Sequence, residues 1–313
     1  MIKLARRPPA GHMNKWTTTC CEQASALAKR LMRGPATVIV TIILFGSKAL
    51  PQSDTAGLGM SANELARKVI TNELKLQDED YGHWLYQLEK DKSGRKQVQE
   101  ILETNRGSLS RLLSIDGHPL DTPQQQQESQ RMQRLVSHPD EQLKLREASN
   151  KKAERGARLF KLMPDVFTFA YSGRMGNIVT LTFRANQTLQ PSSIEGRVFY
   201  CMQGEMTVDA KQERLVALNG HLMEDVKFGG GRFGHLDKGS KFKVIQAEVV
   251  PGHWKMTALD VDIKGKAFLF KVIDVRETEN HTGFHPVPDG LTLAEATAIL
   301  EGQIVEAANR YDK

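Results

Sequence analysis

The sequence predicts an α+β protein in which a curved antiparallel β-sheet, forming an incomplete barrel, packs on helices. From Val166 onward, short segments of alternating polarity are separated by turns at intervals of roughly 8–12 residues, as in an antiparallel meander. A strongly polar stretch from Asp121 to about Leu162 has the composition of helices. Strands joined by tight turns pair with their neighbours, and such a sheet presents one apolar face on which helices can pack.

The N-terminal part of this arrangement is a helix followed by three strands. Ser61-Ala-Asn-Glu64 has the form of a capping box and predicts a helix start. Strands are predicted at His83–Leu88, Lys96–Thr104 and Ser108–Ile115. Asp91-Lys-Ser-Gly94 between the first two strands has turn chemistry, which predicts a hairpin in this region.

The polar middle segment predicts two helices with one narrow apolar face. Asp121-Thr-Pro opens it, and the apolar residues Leu135, Leu143 and Phe160 recur at wide intervals. His138-Pro139 interrupts the stretch, because a residue that precedes proline avoids helical geometry. We interpret the glutamine run at 124–127 as a solvated helix start.

The second half predicts a meander over residues 165–275 and a closing helix. Strands are predicted at 166–169, 179–183, 197–203, 205–209, 241–244, 246–250, 254–262 and 266–274. Glycines at the expected corners are Gly173, Gly176, Gly196, Gly220, Gly252 and Gly265. Residues 276–290 are predicted as a loop, and residues 291–309 as a helix with apolar residues at helical spacing.

Residues 1–49 predict an upstream extension and a secretory signal peptide. Basic residues precede the apolar run from Ala36 to Phe45, which is shorter than the roughly 20 residues needed to span a bilayer. Ser47-Lys-Ala49 supplies a small-x-small cleavage site, so cleavage is expected after Ala49. We therefore expect a single exported domain over residues 50–313, in the periplasm of a Gram-negative bacterium and without a stable membrane span.

Removal of the signal changes the charge of the chain. The whole sequence has 43 basic and 37 acidic residues, and residues 1–49 hold eight basic residues against Glu22, so 35 and 36 remain. This near-neutral balance argues against nucleic-acid binding. Cys201 is the only cysteine left, so no internal disulfide is predicted.

Sequence segments in the second half of the chain resemble the LolA-like superfamily of periplasmic lipoprotein carriers. They are Gly204-Glu-Met-Thr-Val-Asp-Ala210 followed by Glu213-Arg-Leu-Val-Ala-Leu218, and Phe242-Lys-Val-Ile-Gln246 followed by Pro251-Gly-His-Trp254. The resemblance spans about residues 60–275. It implies an incomplete barrel that wraps around helices and encloses a hydrophobic cavity, with lipid or lipoprotein as the expected partner. The polar helices at 121–162 depart from that pattern.

Motifs for phosphate, metal or covalent chemistry are weak. Phe228-Gly-Gly-Gly-Arg-Phe-Gly234 lacks the Lys-Ser/Thr and the helix that a phosphate loop requires, so we interpret it as a strand connection. His281 and His285 are four residues apart, but Gly283 and Pro286 argue against the helix that would aim both at one metal. His118 and His253 are each expected in a turn, and Cys201 is expected as a buried inert thiol in a strand. No cofactor and no metal are predicted.

The remaining candidates are large apolar residues on the predicted strands. A curved open sheet has more apolar surface than a few helices cover, which favours a ligand cavity. The predicted function is therefore non-enzymatic binding of a lipid, an acyl chain or an apolar segment of an envelope partner. The alternatives are a scaffolding envelope protein with a filled core and a hydrolase that uses loop histidines. The predicted ligand-binding residues are Phe167, Phe169, Phe183, Phe199, Met206, Phe242, Trp254, Met256 and Phe268.

Overall fold

The computed structural model describes residues 58–79, 82–190, 193–267 and 271–302. The predicted upstream extension and export signal, residues 1–49, lie outside these ranges. All described residues belong to one compact unit, Pro51–Lys313. The helices in these ranges are α1 Ala62–Glu79, α2 Thr122–Ser137, α3 Pro139–Val166, α4 Ile194–Tyr200 and α5 Leu293–Leu300.

The strands of the described residues form one antiparallel sheet. They are β1 His83–Lys92, β2 Arg95–Thr104, β3 Gly107–Ile115, β4 His118–Pro119, β5 Phe167–Met175, β6 Ile178–Ala185, β7 Met202–Asp209, β8 Arg214–Leu222, β9 Val226–Phe228, β10 Gly234–Leu236, β11 Lys241–Val250, β12 His253–Ala267 and β13 Lys271–Val287. A short 3₁₀ turn, Gly229–Gly231, joins β9 to β10.

The sheet runs in the order β4-β3-β2-β1-β13-β12-β11-β8-β7-β6-β5, and β10 pairs with both β9 and β12. Within the described residues it is not closed, because β4 and β5 are its two edges. The predicted α+β class with a curved antiparallel sheet is thus confirmed. β1 and β13 join the N-terminal meander to the C-terminal one, although their paired residues, such as His83 and Val287, are far apart in sequence.

The predicted helix starts are confirmed by their hydrogen bonds. The Glu64 amide donates to Ser61 Oγ at 3.2 Å, and the Ser61 amide donates to Glu64 Oε2 at 2.7 Å. Asp121 and Gln124 form the same reciprocal cap at the start of α2. The break at His138-Pro139 separates α2 from α3, because Pro139 occupies the first turn of α3, where a missing amide hydrogen costs little.

The prediction of a loop at residues 276–290 is wrong for most of its length. β13 continues to Val287 and pairs with β1 from Glu277 to Val287, with one register shift. Gly283, with φ of 63°, lies where the register shifts, so β13 has one extra residue there. A bulge of this kind accommodates Gly283 within a strand, although this glycine favoured a loop in the sequence.

Two further segments differ from the predicted elements. Residues 194–200 form helix α4 and not a strand, because Ser193 caps the Gly196 amide at 2.9 Å. Short apolar runs such as this one do not distinguish helix from strand by periodicity. The closing helix ends at Leu300, since Gly302 adopts a positive φ of 72°; residues 303–309 of the predicted helix lie outside the described residues.

Some predicted corners and one predicted strand also change. Gly173, Gly220 and Gly265 lie inside strands, and Gly196 lies in α4. The apolar run at 266–274 is not one strand, because β12 ends at Ala267 and β13 begins at Lys271, its direct partner. Glycine therefore marks both turns and strand interiors here, and its local signal does not separate the two.

Helices pack on both faces of the sheet. α1 and the end of α3 pack over β5–β8 around Leu65, Val69, Phe169 and Met206. α2 and α5 pack over β2 and β3 around Leu102 and other apolar residues. No helix of the described residues is long and apolar enough to cross a bilayer.

Candidate ligand-binding groove

An unbroken row of cross-strand partners defines one face of the sheet. Residues directly opposite on neighbouring antiparallel strands lie on the same face. The row passes through Lys90, Glu279, Leu259, Val244, Leu218, Met206 and Leu181. We call this face the inner face; it carries the core under α1. Alternation along β1 places Leu85 and its partner Leu102 on the opposite face, which α2 and α5 cover.

The half of the inner face on β5–β8 is filled by helices. Phe167, Phe169, Phe183 and Met206, four of the predicted ligand residues, are buried in this core. α1 is held there by hydrogen bonds from the Phe169 amide to Asn63 Oδ1 at 2.8 Å and from the Tyr171 hydroxyl to the Met60 carbonyl at 3.0 Å. These four side chains thus pack against protein, in the manner of an ordinary core.

The other half of the inner face carries apolar residues without such cover. Val244, Leu259 and Val261 are only half-buried. None of the described helices makes an extensive contact with β1, β11, β12 or β13. Phe242 lies at the boundary, partly buried against the core under α1, and Phe199 packs against the same core from α4. The sequence-predicted set is therefore divided between a filled core and an open trough.

A groove of about 770 Å³ lies where this trough meets α1 and α3, and we call it the inner groove. Trp254 and Met256, two of the predicted ligand residues, line it, together with Leu76 of α1 and Phe160 of α3. Glu73, Glu103, Arg214, His253 and Lys255 add charged or ionisable groups to the wall. Phe268, the last predicted ligand residue, lies outside the described residues. Leu76 was not predicted from the sequence, because the predicted ligand residues were all on strands and Leu76 lies on helix α1.

A buried ion pair fixes one wall of the inner groove. Arg214 Nε donates to Glu73 Oε1 at 2.7 Å, and the Leu215 amide donates to the same oxygen at 2.8 Å. The Arg214 guanidinium lies 5.3 Å from the centre of the Trp254 ring, and Trp254 Nε1 donates to Gln212 Oε1 at 3.1 Å. The indole is therefore held in one orientation, with α1 anchored to β8 beside it.

Aromatic rings of β1 pack behind the groove residues His253 and Lys255 and against β13. The Trp84 ring is buried and lies 5.2 Å from the His253 ring, and Lys255 Nζ lies 5.2 Å from its centroid. Trp84 Nε1 has no hydrogen-bond partner among the described residues. Tyr86 stacks on His281 and on Phe284, at 5.4 and 5.0 Å. Burial, with the Glu103 and Glu279 carboxylates as further causes, raises the Tyr86 pKa well above its usual value, so this hydroxyl stays protonated.

A charged cluster lies beside these rings on the inner face. Lys90 forms ion pairs with Glu277 and, at 2.6 Å, with Glu279, while His281 Nε2 lies 3.2 Å from Glu279. Burial alone would lower the Lys90 pKa, but the hydrogen bonds to the two carboxylates outweigh it and raise that pKa. The hydrogen bond with His281, opposed by burial and reinforced by Lys90, lowers the pKa of Glu279 to about 2. Lys90 and Glu279 are thus charged at neutral pH, and each is paired within the cluster.

The other residues considered from sequence do not converge on a reactive site. Cys201 is half-buried at the end of α4, not in a strand; burial and the nearby Glu224 raise its thiol pKa to about 12. His281 and His285 lie on β13 and not in a loop. In the described ranges, no group of three or more His, Cys, Asp or Glu side chains is placed to hold a metal ion.

Comparisons with known proteins give only a faint likeness. No protein-family model matches the chain, and no curated protein matches it. Among solved structures, the chain is similar to a DUF1329 family protein from Desulfovibrio piger. The match has 7% sequence identity and a TM-score of 0.24, and it covers 79% of this chain and 100% of that one. A score at this level does not establish a shared fold.

Proposed function

We propose that this protein is an exported, non-enzymatic binding protein of the cell envelope whose inner groove holds the acyl chain of a lipid or lipoprotein. The observation that carries the proposal is the bare half of the inner face. Val244, Leu259 and Val261 form an apolar trough without a covering helix in the described chain, and the trough continues into the groove at Met256 and Trp254.

The size of the inner groove suits an acyl chain, and its lining combines apolar residues with charged and polar ones. Small-molecule sites are typically concave and roughly 300–1,000 Å³ in volume. The inner groove, at about 770 Å³, falls in this range. Met256 is the most adaptable of its lining residues, because an unbranched thioether side chain can follow different ligand shapes. The Glu73–Arg214 pair neutralises its own charges, which leaves that wall compatible with an apolar ligand.

Native mass spectrometry of the protein purified from the periplasm tests the proposal. We expect lipid masses to copurify with the wild-type chain. Met256→Glu replaces an apolar side chain of the groove with a carboxylate and should abolish the lipid-bound species, because burying a charge against an acyl chain is costly. Met175→Glu is the matched control: Met175 is exposed on β5, so the lipid-bound species should persist. A wild-type protein that is lipid-free and stays so after lipid addition contradicts the proposal.

The export part of the proposal has its own measurement. If the signal is cleaved after Ala49, N-terminal sequencing of the periplasmic protein should begin at Leu50. Retention of residues 1–49 on the purified protein would contradict cleavage and would make a freely diffusing carrier untenable.

A scaffolding role is the second candidate, favoured by one surface. Helix α3 exposes Leu143, Leu145 and Leu162 to solvent although most of its other exposed side chains are polar. Exposed leucines on a long polar helix suit contact with a partner protein. If the protein is a scaffold, Leu145→Lys should abolish partner binding and leave any copurifying lipid unchanged. Met256→Glu should remove the lipid and leave partner binding unchanged.

A further inference from the structure

The end of the sheet at the β12–β13 connection carries an exposed surface that the inner groove does not use. There β10 pairs with the last residues of β12, with Gly234 opposite Ala267, and β9 pairs with β10. We define the tip surface as Lys227, Arg232, Phe233, Lys266, Lys271 and Val272, all of them exposed. Trp254 of the groove is twelve residues from Lys266 on β12, or about 40 Å along a strand. The two sites are therefore separate.

The last residues of the strands at this end are basic, and Asp225, Asp237, Asp262 and Asp274 flank them. Residues 226–236, 264–267 and 271–273 include Lys227, Arg232, Lys264, Lys266 and Lys271 and no acidic residue. Lys264 lies 3.8 Å from Asp262, whereas the four basic residues of the tip surface form no ion pair with a described residue. Their charges are therefore available to an external anionic group.

Basic residues of the tip surface lie on neighbouring strands. Lys227 lies directly opposite His235, and His235 lies directly opposite Lys266. Residues directly opposite on neighbouring antiparallel strands lie on the same face of a sheet. Lys227 and Lys266 therefore lie on one face, on either side of His235, whose ring is 3.1 Å from Asp237.

Two apolar side chains project among these charges. Phe233 is 64% exposed and Val272 is 67% exposed. A Cβ added at Gly229 would lie 2.2 Å from Cδ2 of Phe233, so the ring is held close against the glycine turn while its remaining surface faces solvent. Val272 is the direct partner of Lys266, which puts apolar and basic groups side by side. Apolar groups ringed by lysine and arginine match the interface of an anionic bilayer, where the former enter the headgroup region and the latter contact phosphates.

We propose that the tip surface docks this protein on an anionic membrane surface, with Phe233 entering the headgroup layer and the four basic residues contacting lipid phosphates. The proposal does not depend on the groove: a protein that carries no lipid would still dock by its tip. The groove lies at the other end of β12. A membrane that contacts the tip surface therefore does not block the groove.

Vesicle binding of the full-length chain tests the charges. Lys227→Gln with Lys266→Gln should weaken binding to vesicles containing phosphatidylglycerol by about 25-fold, about fivefold for each lysine near an anionic surface. Lys151→Gln with Lys152→Gln on α3 removes the same charge from exposed positions elsewhere and should leave binding unchanged. Equal affinity of both double variants for these vesicles would overturn the proposal. The lysines of the tip would then only protect a sheet edge from pairing with another chain, a role that does not involve vesicles.

Site-specific photo-crosslinking tests the contact itself and is insensitive to binding by other parts of the chain. A benzophenone amino acid at position 233 should crosslink to lipid in phosphatidylglycerol vesicles and not in phosphatidylcholine vesicles. The same group at the exposed position 175, in the hairpin at the opposite end of the sheet, should not crosslink in either. Crosslinking to a protein partner in membrane extracts, or to lipid equally from both positions, would overturn bilayer docking by the tip.

Discussion

Glu73 and Arg214 show how single residues hold the wall of the inner groove. Glu73 accepts hydrogen bonds from the Arg214 guanidinium and the Leu215 amide, and its side chain is only 9% exposed. Arg214 in turn lies beside the Trp254 ring. Neither residue had a distinguishing signal in the sequence, because a glutamate on a helix and an arginine after a turn are both common on surfaces. Burial by tertiary packing gives the pair its importance.

The cost of breaking this pair is the first residue-scale prediction. Glu73→Gln should lower the free energy of unfolding by about 3 kcal/mol, because it leaves the Arg214 charge buried without a counter-charge. Asp165→Asn is the control: it breaks the Arg67–Asp165 pair, which has a similar 2.7 Å separation but is 58% and 62% exposed. That change should cost less than about 1 kcal/mol. Urea unfolding measures both, and equal losses would show that burial does not set the strength of the Glu73 pair.

At the scale of elements, β7 and β8 approach each other through a pair of glycines. Gly204 is directly opposite Gly220, and both lie inside strands. The ring of Phe183 lies over Gly204, and the ring of Phe242 lies over Gly220. Glycine inside a strand thus gives space to two aromatic side chains of the inner face. The sequence suggested a corner at Gly220. The aromatic ring that requires a glycine there belongs to another strand, so the sequence around Gly220 does not reveal it.

Substitution of the two kinds of glycine should have opposite effects. A Cβ at Gly204 would lie 2.0 Å from the Asn219 carbonyl oxygen and 2.7 Å from the Phe183 ring, so Gly204→Ala should destabilise the protein by about 2–3 kcal/mol. Gly156 in α3 has nothing within 4 Å of an added Cβ, and Gly156→Ala should stabilise by about 0.5–1 kcal/mol. Thermal unfolding monitored by circular dichroism distinguishes the two; a stable Gly204→Ala protein would mean that β7 and β8 can separate without cost.

At the scale of the whole molecule, the β1–β13 pairing joins the first meander to the last. Its register runs from His83 opposite Val287 to Lys92 opposite Glu277. The ion pairs of Lys90 with Glu277 and Glu279 lie on this pairing and connect the first strand of the described chain to the last. Charge in this cluster should therefore influence the cohesion of the entire sheet.

The pH dependence of stability tests that connection. The Glu279 pKa is about 2 in the folded protein, below its usual value near 4.5. A depressed carboxyl pKa contributes stability above the unfolded-state value, and this contribution is lost as pH falls toward the folded-state value. Stability should thus decline between about pH 4.5 and 2, and Glu279→Gln should flatten that part of the profile. Glu154→Gln, an exposed change on α3, should leave the profile as in wild type; an unchanged profile in Glu279→Gln would contradict the assignment.

Local chemistry in the sequence predicted much of the fold. The capping boxes at Ser61 and Asp121, the proline break at His138-Pro139 and the alternating segments of the meander each act within a few residues, so each could be recognised from sequence. The apolar strand residues were also identified, and Trp254 and Met256 line the inner groove. These features depend on short-range hydrogen bonds and side-chain alternation, which the sequence encodes directly.

The tertiary structure decided which apolar residues are core and which face a groove. Phe169 and Trp254 are equivalent in sequence, as aromatic residues on strands, yet α1 covers the first and no described helix packs extensively over the strand that carries the second. The same holds for β13. Its glycine and proline predicted a loop, but pairing with β1 makes it a strand of the sheet. Both outcomes depend on contacts between residues far apart in the chain, and the free energy of such contacts outweighs local preference.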